Sequence, residues 1–443
     1  MHGPVPDDQA ASRSARNRDK SAWSGAQVST VKRGMDQREI KYNLTTVLNR
    51  RDFGISTAAF LGACGTASEQ APENPVAATG PLYLDLHIDT PSRLVSEGLN
   101  LGESPEYSQV DIPKMRQGGL TAGFFAVFSP ARNKTPLESV KDALRITDVI
   151  VEEVRRHPDD MFLATTSDDV LRAQRENKIG VLLGIEGGHM IDSSIEVLRQ
   201  LYRLGARYLG LTHSGNTPWV GAAEYSDGPE GLTDQGREIV REMNRLGMMA
   251  DLSHASEQAF FDTIDTSVAP VLNTHAACRA VADHPRNLTD EMLRVLAQNG
   301  GVLGVAYFTG MLDDGHRARF SELREIGQQR SAARREFKDN LQRLSEELWK
   351  LNLAEVELIG TPPLSRLVDH IEHAATVAGI DHVGLGSDFD SVGLKLPAGL
   401  EHIGKTPNLI AAMKDRGFSD EDAAKVMGGN ALRAMQAAEQ AAG

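Results

Sequence analysis

The sequence predicts an α/β fold of the (β/α)8 class, the TIM barrel, and three observations support that prediction. Eight short apolar runs follow one another from Leu82 onward, with longer stretches of helical periodicity between them. Several runs are apolar at consecutive positions, as is typical of parallel strands covered on both faces. Histidine or acidic residues stand at the carboxyl ends of six runs, and that end of the strands is where such a barrel places its active site.

The candidate elements can be placed along the chain by these patterns. The eight candidate strands are Leu82–Asp89, Ala122–Phe128, Gly180–Glu186, Ala206–Thr212, Gly247–Ser253, Pro270–His275, Gly301–Tyr307 and His382–Asp388. Helical patterns intervene over Leu137–His157, Ile195–Leu204, Leu232–Leu246 and Asp290–Asn299. Strands that alternate with helices in this way favour a closed barrel over an open sheet.

One connection is too long for a simple loop. The stretch from Asp313 to Ile359 is highly charged and carries Leu and Phe at helical spacing. It predicts a helical pair inserted after the seventh strand and able to cover the barrel mouth.

The composition is that of a soluble globular protein. The chain has 443 residues, of which 40% are hydrophobic and 24% charged. A formal net charge of −14 argues against a general nucleic-acid partner, because phosphate contacts need clustered Lys and Arg. The two cysteines, Cys64 and Cys278, exclude a disulfide scaffold and a zinc site of the Cys-pair type. One barrel domain with insertions, residues 82–443, accommodates the rest of the chain.

The first 63 residues are predicted to be a leader. Arg50 and Arg51 precede a weakly apolar stretch too short to span a bilayer, a pattern that resembles a twin-arginine export signal. Leu61–Cys64 resembles a lipoprotein processing box, with Cys64 as the acylated residue, and residues 64–81 read as a flexible tether. Because such signals begin close to the start of the chain, Met35 is the alternative start. We therefore expect an exported protein of the bacterial periplasm or cell envelope, lipid-anchored at Cys64. The alternative is a disordered leader with a chance Arg-Arg pair.

The residues at the strand ends are of types that bind divalent metals. They are His87, Asp89, Glu186, His213, His254, His275 and Asp388. Imidazole and carboxylate groups are ligands of zinc and similar ions. His87 and Asp89 lie two positions apart in an extended run, so their side chains point to the same side. A carboxylate has two oxygens, so Glu186 could bridge two ions, which would share a water and polarise a carbonyl. Each histidine taken alone is more often a hydrogen-bonded core residue, but coincidence over six strand ends favours a metal site.

The remaining histidines have weaker support. The segment from Asp369 to His373 looks ligand-like, but no strand precedes it, and we interpret it as a solvated helix face. His189 and His284 lie inside informative motifs and are candidates for contacts to the ligands. No sequence context supports His157, His316, His382 or His402.

An ordered set of motifs extends this interpretation. The motifs are DLHIDTP, GIEGGHMI, LTHSGNTPW, DLSHAS, THAACRAV with HPRN, and GLGSDFD. In this order, over about residues 82–435, they resemble the membrane (renal) dipeptidase family of metallopeptidases, an amidohydrolase-like branch of barrel enzymes. The resemblance implies a (β/α)8 barrel with two zinc ions per chain that hydrolyses dipeptides by means of a metal-bridging hydroxide. Dipeptides with a C-terminal D-residue are candidate substrates as well, and the sequence leaves the preferred stereochemistry open.

The resemblance also implies a role for each site residue. His87 and Asp89 would bind one zinc, His254 and His275 the other, and Glu186 both. His213 would contact the substrate carbonyl without binding metal. Arg286 would hold the free carboxylate of the substrate, and Asp388 would bind substrate and carry the proton from the attacking water to the leaving amine. The resemblance further suggests a homodimer.

Small departures from the family pattern leave the predicted ligands intact. Ser387 precedes Asp388 and Ser391 follows Asp390, where the family usually has glycines, and Ala276 and Ala277 follow His275. These departures from the family pattern bear on substrate preference rather than on metal binding. Two alternatives stay open: an amidohydrolase acting on N-acyl amino acids, lactams or lactones, and a non-catalytic peptide-binding lipoprotein.

Overall fold

The computed structural model of the chain describes residues 81–225 and 227–443. The predicted leader, the Arg50-Arg51 pair, the processing box with Cys64, and the tether up to residue 80 lie outside the described residues. Among the helices of residues 81–225 and 227–443, none combines the length and the hydrophobicity that a membrane-spanning segment needs.

Nine parallel strands form one sheet that closes on itself. The order is β2-β1-β9-β8-β7-β6-β5-β4-β3, and β2 also pairs with β4, which closes the ring. The strands are β1 Leu84–Ile88, β2 Ala122–Phe128, β3 Met161–Leu163, β4 Ile179–Glu186, β5 Ala206–Gly210, β6 Met249–Asp251, β7 Leu272–Ala276, β8 Val302–Val305 and β9 Val383–Leu385. Every residue of β1, β4 and β7 is buried, as expected of strands covered on both faces.

Helices fill the connections. Those of the first half are α1 Thr90–Glu97, α2 Ile112–Gly118, α3 Pro136–Arg156, α4 Ser167–Glu176, α5 Ile195–Arg203, α6 Asp234–Leu246, α7 Glu257–Thr266 and α8 Asp290–Gln298. Those of the second half are α9 Thr309–Leu312, α10 Asp314–Ala318, α11 Arg324–Glu336, α12 Leu341–Ile359, α13 Ser365–Ala378, α14 Thr406–Asp415, α15 Asp420–Ala424 and α16 Asn430–Gln440.

The predicted barrel is confirmed, and each of the eight predicted strands corresponds to a strand of the ring. The additional strand, β3, was not predicted. It has three residues, two of them only partly buried, and it pairs with the start of β4 beside the ring. So short a segment carries no readable period.

The helical pair predicted after the seventh candidate strand is also confirmed: that strand is β8, and the pair is α11 and α12. On α12, the buried Glu355 pairs with Arg330 of α11 at 2.7 Å and with Lys395 of the segment after β9 at 2.9 Å. Ser345 of α12 donates to Glu97 of α1 at 2.9 Å. The pair therefore contacts the segments that follow β1 and β9, the same segments that carry Asp89 and Asp388.

Candidate active site

The seven strand-end residues meet at one end of the barrel. His87, Glu186 and His275 lie within the last two residues of β1, β4 and β7, and Asp89 follows β1 directly. His213, His254 and Asp388 lie a few residues after the ends of β5, β6 and β9. Their side-chain atoms form three overlapping groups, each with ligand atoms within 4.8 Å of one another: His87 with Glu186 and His275, Glu186 with His213 and His254, and His87 with Asp89 and Asp388. Parallel strands of a closed barrel point their carboxyl ends to one rim, and this topology gathers residues 300 positions apart in the chain.

Glu186 lies at the centre of the cluster. Its Oε1 is 3.2 Å from Nε2 of His254, 3.5 Å from Nε2 of His213 and 3.6 Å from Nε2 of His275. Its Oε2 is 3.6 Å from Nε2 of His87. All four imidazoles thus present the same ring nitrogen to one carboxylate, on both of its oxygens. A carboxylate in this position is able to bridge two cations.

The donor set fits a divalent metal. Nε2 of His87 and Oδ1 of Asp89 are buried and make no hydrogen bond within the described ranges. A buried polar atom without a partner carries a desolvation penalty. A cation between His87 and Asp89, whose Nε2 and Oδ2 are 3.6 Å apart, would offset that penalty. The nitrogen and oxygen donors are those that zinc and related ions bind.

The electrostatics of the cluster also suit metal binding. Burial opposes ionisation of Glu186, but His87 and then His213 outweigh it and hold the pKa of this carboxyl well below its ordinary value. Burial holds the pKa of His254 and that of His275 well below the ordinary value. The second cause is the charge of Arg286 for His254 and the charge of His87 for His275. An ionised carboxylate and neutral imidazoles are the forms that coordinate metals. Burial opposes the charged form of His87, but Tyr208 and then Glu186 outweigh it and raise the pKa of this imidazole well above its ordinary value, so His87 would release a proton on binding a metal.

The pKa of Asp388 is shifted in the opposite direction from that of Glu186. Burial and then the negative charge of Asp89 raise the pKa of Asp388 well above its ordinary value, so this carboxyl takes up a proton readily. Its backbone is left-handed, with φ of 60°, and its N–H donates to the carbonyl of His87 at 3.0 Å. Asp390, two residues on, is held by Arg93 at 2.7 Å and does not share the cluster. The two aspartates of the SDFD motif therefore have different partners.

His213 differs from the other three imidazoles in exposure. Its side chain is 21% exposed, against 6% or less for His87, His254 and His275. Its ring lies between Phe128 and His254, with centroids 4.4 and 4.2 Å away, and its Nδ1 is 2.6 Å from the hydroxyl of Ser214. Burial lowers the pKa of His213, which favours the neutral ring. It lies at the open side of the cluster.

Arg286 approaches the cluster from the loop after β7. Its Nε donates to the carbonyl of Ser253 at 3.1 Å and its Nη2 to that of His275 at 3.3 Å. These bonds fix the guanidinium beside the two segments that carry His254 and His275. Arg286 forms no ion pair among the described residues, and the carboxylates of Asp388, Glu186 and Glu224 act on its charge at longer range.

His284, His189 and His370 make structural contacts outside the cluster. His284 Nδ1 accepts from the backbone N–H of Arg286 at 3.1 Å, and His189 Nε2 lies 2.8 Å from the carbonyl of Ser129. The interpretation of residues 369–373 as a solvated face was wrong for His370. That side chain is fully buried, its Nδ1 accepts from the N–H of Cys278 and its Nε2 meets the carbonyl of Leu312. Both ring nitrogens are used in core contacts.

Two residues of the site were missed by the sequence reasoning. The hydroxyl of Tyr208 lies 2.8 Å from Nδ1 of His87, and that of Thr274 lies 2.9 Å from Nδ1 of His275. The only sequence signal was a polar side chain inside a buried run. That signal does not tell which ligand the hydroxyl meets.

Comparison with known proteins places this site in context. The profile of the family described as "Membrane dipeptidase (Peptidase family M19)" matches residues 73–443. An uncharacterized dipeptidase of Schizosaccharomyces pombe is 34% identical over 376 residues, 80% of each chain. Dipeptidase tcpJ of Claviceps purpurea is 33% identical over 342 residues, 75% of this chain and 70% of its own. The crystal structure of the probable dipeptidase PvdM of Pseudomonas aeruginosa superimposes with a TM-score of 0.68 at 26% identity, covering 82% of this chain and 96% of its own.

Proposed function

The chain belongs to the membrane dipeptidase family of metallopeptidases, family M19, and on this basis we propose that it is a two-zinc dipeptidase. The proposed substrates are dipeptides with a free carboxylate, including those with a C-terminal D-residue. The observation that carries the proposal is the placement of imidazole nitrogens around both oxygens of Glu186. One carboxylate between two histidine sets is the arrangement that a shared, bridging ligand requires.

The proposal assigns five residues to the metals. His87 and Asp89 would hold one zinc, His254 and His275 the other, and Glu186 both. When bound, two zinc ions would lower the pKa of a shared water towards about 7 and polarise the substrate carbonyl.

Asp388 is assigned the proton transfer. Its carboxyl shares a group with His87 and Asp89, with ligand atoms within 4.8 Å, so it would lie close to a water activated by a metal held there. In the proposed reaction the ionised carboxylate of Asp388 takes a proton from that water and holds it until the leaving amine nitrogen accepts it. Water supplies the hydroxyl of the new carboxylic acid, and the proton completes the amine.

His213 is assigned to the carbonyl oxygen. If the Ser214 hydroxyl donates to Nδ1, the ring proton is on Nε2, the nitrogen that faces the cluster. A neutral imidazole in that tautomer donates a hydrogen bond to the oxygen, where negative charge develops during attack.

Arg286 is assigned the terminal carboxylate, and this sets substrate length. A guanidinium fork pairs well with a carboxylate. Because Arg286 is fixed by backbone carbonyls beside the cluster, an added C-terminal residue would carry the carboxylate beyond its reach.

Arg286→Ala should retain the metal content of the parent and lose most of its preference for a free carboxylate. We expect kcat/KM on dipeptides to fall by roughly 30-fold or more, because losing a desolvated charge pair costs about 2–5 kcal/mol. On the matching dipeptide amides the two proteins should be nearly equal. The measurement is kcat/KM on each acid and its amide. Unchanged kinetics on the free acids would remove the length argument.

A substrate panel tests the function itself. Metal-replete protein is assayed on LL and LD dipeptides, on tripeptides that extend them at the C-terminus, and on N-acyl amino acids, lactams and lactones. We expect the highest kcat/KM on dipeptides, hydrolysis of LD members, and loss of all activity on chelation. Higher kcat/KM on an N-acyl amino acid, lactam or lactone would instead establish the alternative amidohydrolase.

A further inference from the structure

The two ring nitrogens of His87 face different surroundings. Nε2 faces Asp89 and Glu186, each 3.6 Å away, and makes no hydrogen bond within the described residues. Nδ1 lies 2.8 Å from the hydroxyl of Tyr208. Both side chains are fully buried, so bulk water does not compete for this contact.

The position of the Tyr208 ring is built into the strands. Tyr208 of β5 is the register partner of Gly184 of β4. A Cβ at position 184 would lie 2.0 Å from Cζ of the tyrosine ring, so only glycine leaves room for the ring there. On another side the ring packs against Phe124, with centroids 4.9 Å apart. The Tyr208 ring is therefore packed between Gly184 and Phe124 with its hydroxyl at His87.

The chemistry of a metal-bound imidazole explains what this hydroxyl can do. A ligand that binds through Nε2 carries its proton on Nδ1 and needs an acceptor there, most often a carboxylate, a carbonyl or water. The cluster already contains the carboxylates of Asp89, Glu186 and Asp388. A phenol is neutral at ordinary pH, with a pKa of about 10, so it orients the ring without adding a further negative charge. His275 has a comparable neutral partner, the hydroxyl of Thr274 at 2.9 Å.

We propose that Tyr208 is a positioning residue for the metal site: its oxygen accepts from Nδ1–H of His87, and this contact directs the Nε2 lone pair towards the metal. The inference rests on the proposed function only in that His87 binds the metal. Gly184 contributes to the same positioning, because it provides the space for the Tyr208 ring.

Zinc affinity of Tyr208→Phe tests the proposal, with Tyr307→Phe as a matched control. Tyr307 is also a fully buried tyrosine, and its ring contact with Phe389 survives the change. Competition with a chromophoric chelator gives the affinity of each ion. We expect one of the zinc ions to bind about 10–100-fold more weakly in Tyr208→Phe and about as tightly as in the parent in Tyr307→Phe. The rise in melting temperature on adding zinc should shrink in Tyr208→Phe alone, whereas a merely structural loss would lower the apo and zinc-loaded values equally. Equal zinc affinity in Tyr208→Phe and the parent would overturn the proposal.

A second measurement uses the parent protein and does not depend on the variant folding. In zinc-loaded protein labelled with 15N-histidine, the His87 signal, assigned by its loss in His87→Gln, should show a proton on Nδ1 that exchanges slowly with water. A proton on Nε2 instead would overturn the proposal. The proposed function fails separately: a parent that binds no zinc overturns both, while tight zinc binding in parent and Tyr208→Phe alike overturns only the role of Tyr208.

Discussion

Glu186→Gln is expected to lose metal from both positions and with it nearly all dipeptide hydrolysis. The amide keeps the size of the side chain but removes the charge that faces four imidazoles on its two oxygens. A change of this kind in a direct ligand should cost more than the 10–100-fold in metal affinity that is typical of the residues behind a ligand. We expect kcat/KM to fall by on the order of 10³-fold or more. Metal content by mass spectrometry and dipeptide kinetics measure the two effects on the same sample.

The control for this variant is Glu153→Gln. Glu153 is likewise a buried glutamate, 2% exposed, but it lies on α3 and accepts from the N–H of Leu101 and from Arg156. Glu153→Gln should lower the free energy of unfolding without changing the number of bound ions. If Glu186→Gln kept the metal content of the parent, the bridging role would be contradicted.

Asp388→Asn is expected to keep both metals and lose turnover. The side chain keeps its shape, but an amide can neither take the proton from water nor return it to the amine. Loss of a general acid–base group lowers kcat by about 10²–10⁴-fold, and we expect KM for dipeptides to change little in comparison. Steady-state kinetics together with metal content separate this outcome from simple loss of the site.

The metal content of Asp388→Asn distinguishes a proton carrier from a metal ligand. Asp388 shares a group of possible ligand atoms with His87 and Asp89, so a direct ligand role would appear as the loss of one ion. A variant that lost one ion together with its activity would contradict the assignment of Asp388 as a proton carrier that does not bind metal.

The barrel could be predicted from the sequence because its strands are buried on both faces. Continuous apolar runs such as that of β4, buried at all eight residues, stand out from the polar helical stretches around them. Helix ends were readable for a similar local reason. The helical pattern predicted from Asp290 begins there as α8, where the Thr289 side chain accepts from the N–H of Met292 and two acidic residues follow.

The clustering of the strand-end residues was predictable from topology, but their contacts were not. Once the strands are parallel and the sheet closes, residues at their carboxyl ends must meet. Which hydroxyl meets which imidazole depends on register between strands far apart in the chain. The pairing of Tyr208 with Gly184, which sets the contact to His87, has no signature in local periodicity.

The misreading of His370 has an equally physical cause. The charged neighbours Asp369 and Glu372 do face outward and pair with Arg416. His370, however, lies three residues after Leu367 and four before Ala374, on the buried face of α13. Helical spacing outweighs the polarity of adjacent residues.

Titration of metal-free protein with zinc tests the central claim most directly. Dipeptide hydrolysis is followed as zinc is added to a known concentration of apo-protein, with free zinc held low. The two-zinc site predicts no activity before addition and a rise that ends at about two equivalents per chain. Full activity in the metal-free protein, or a plateau at one equivalent, would contradict it.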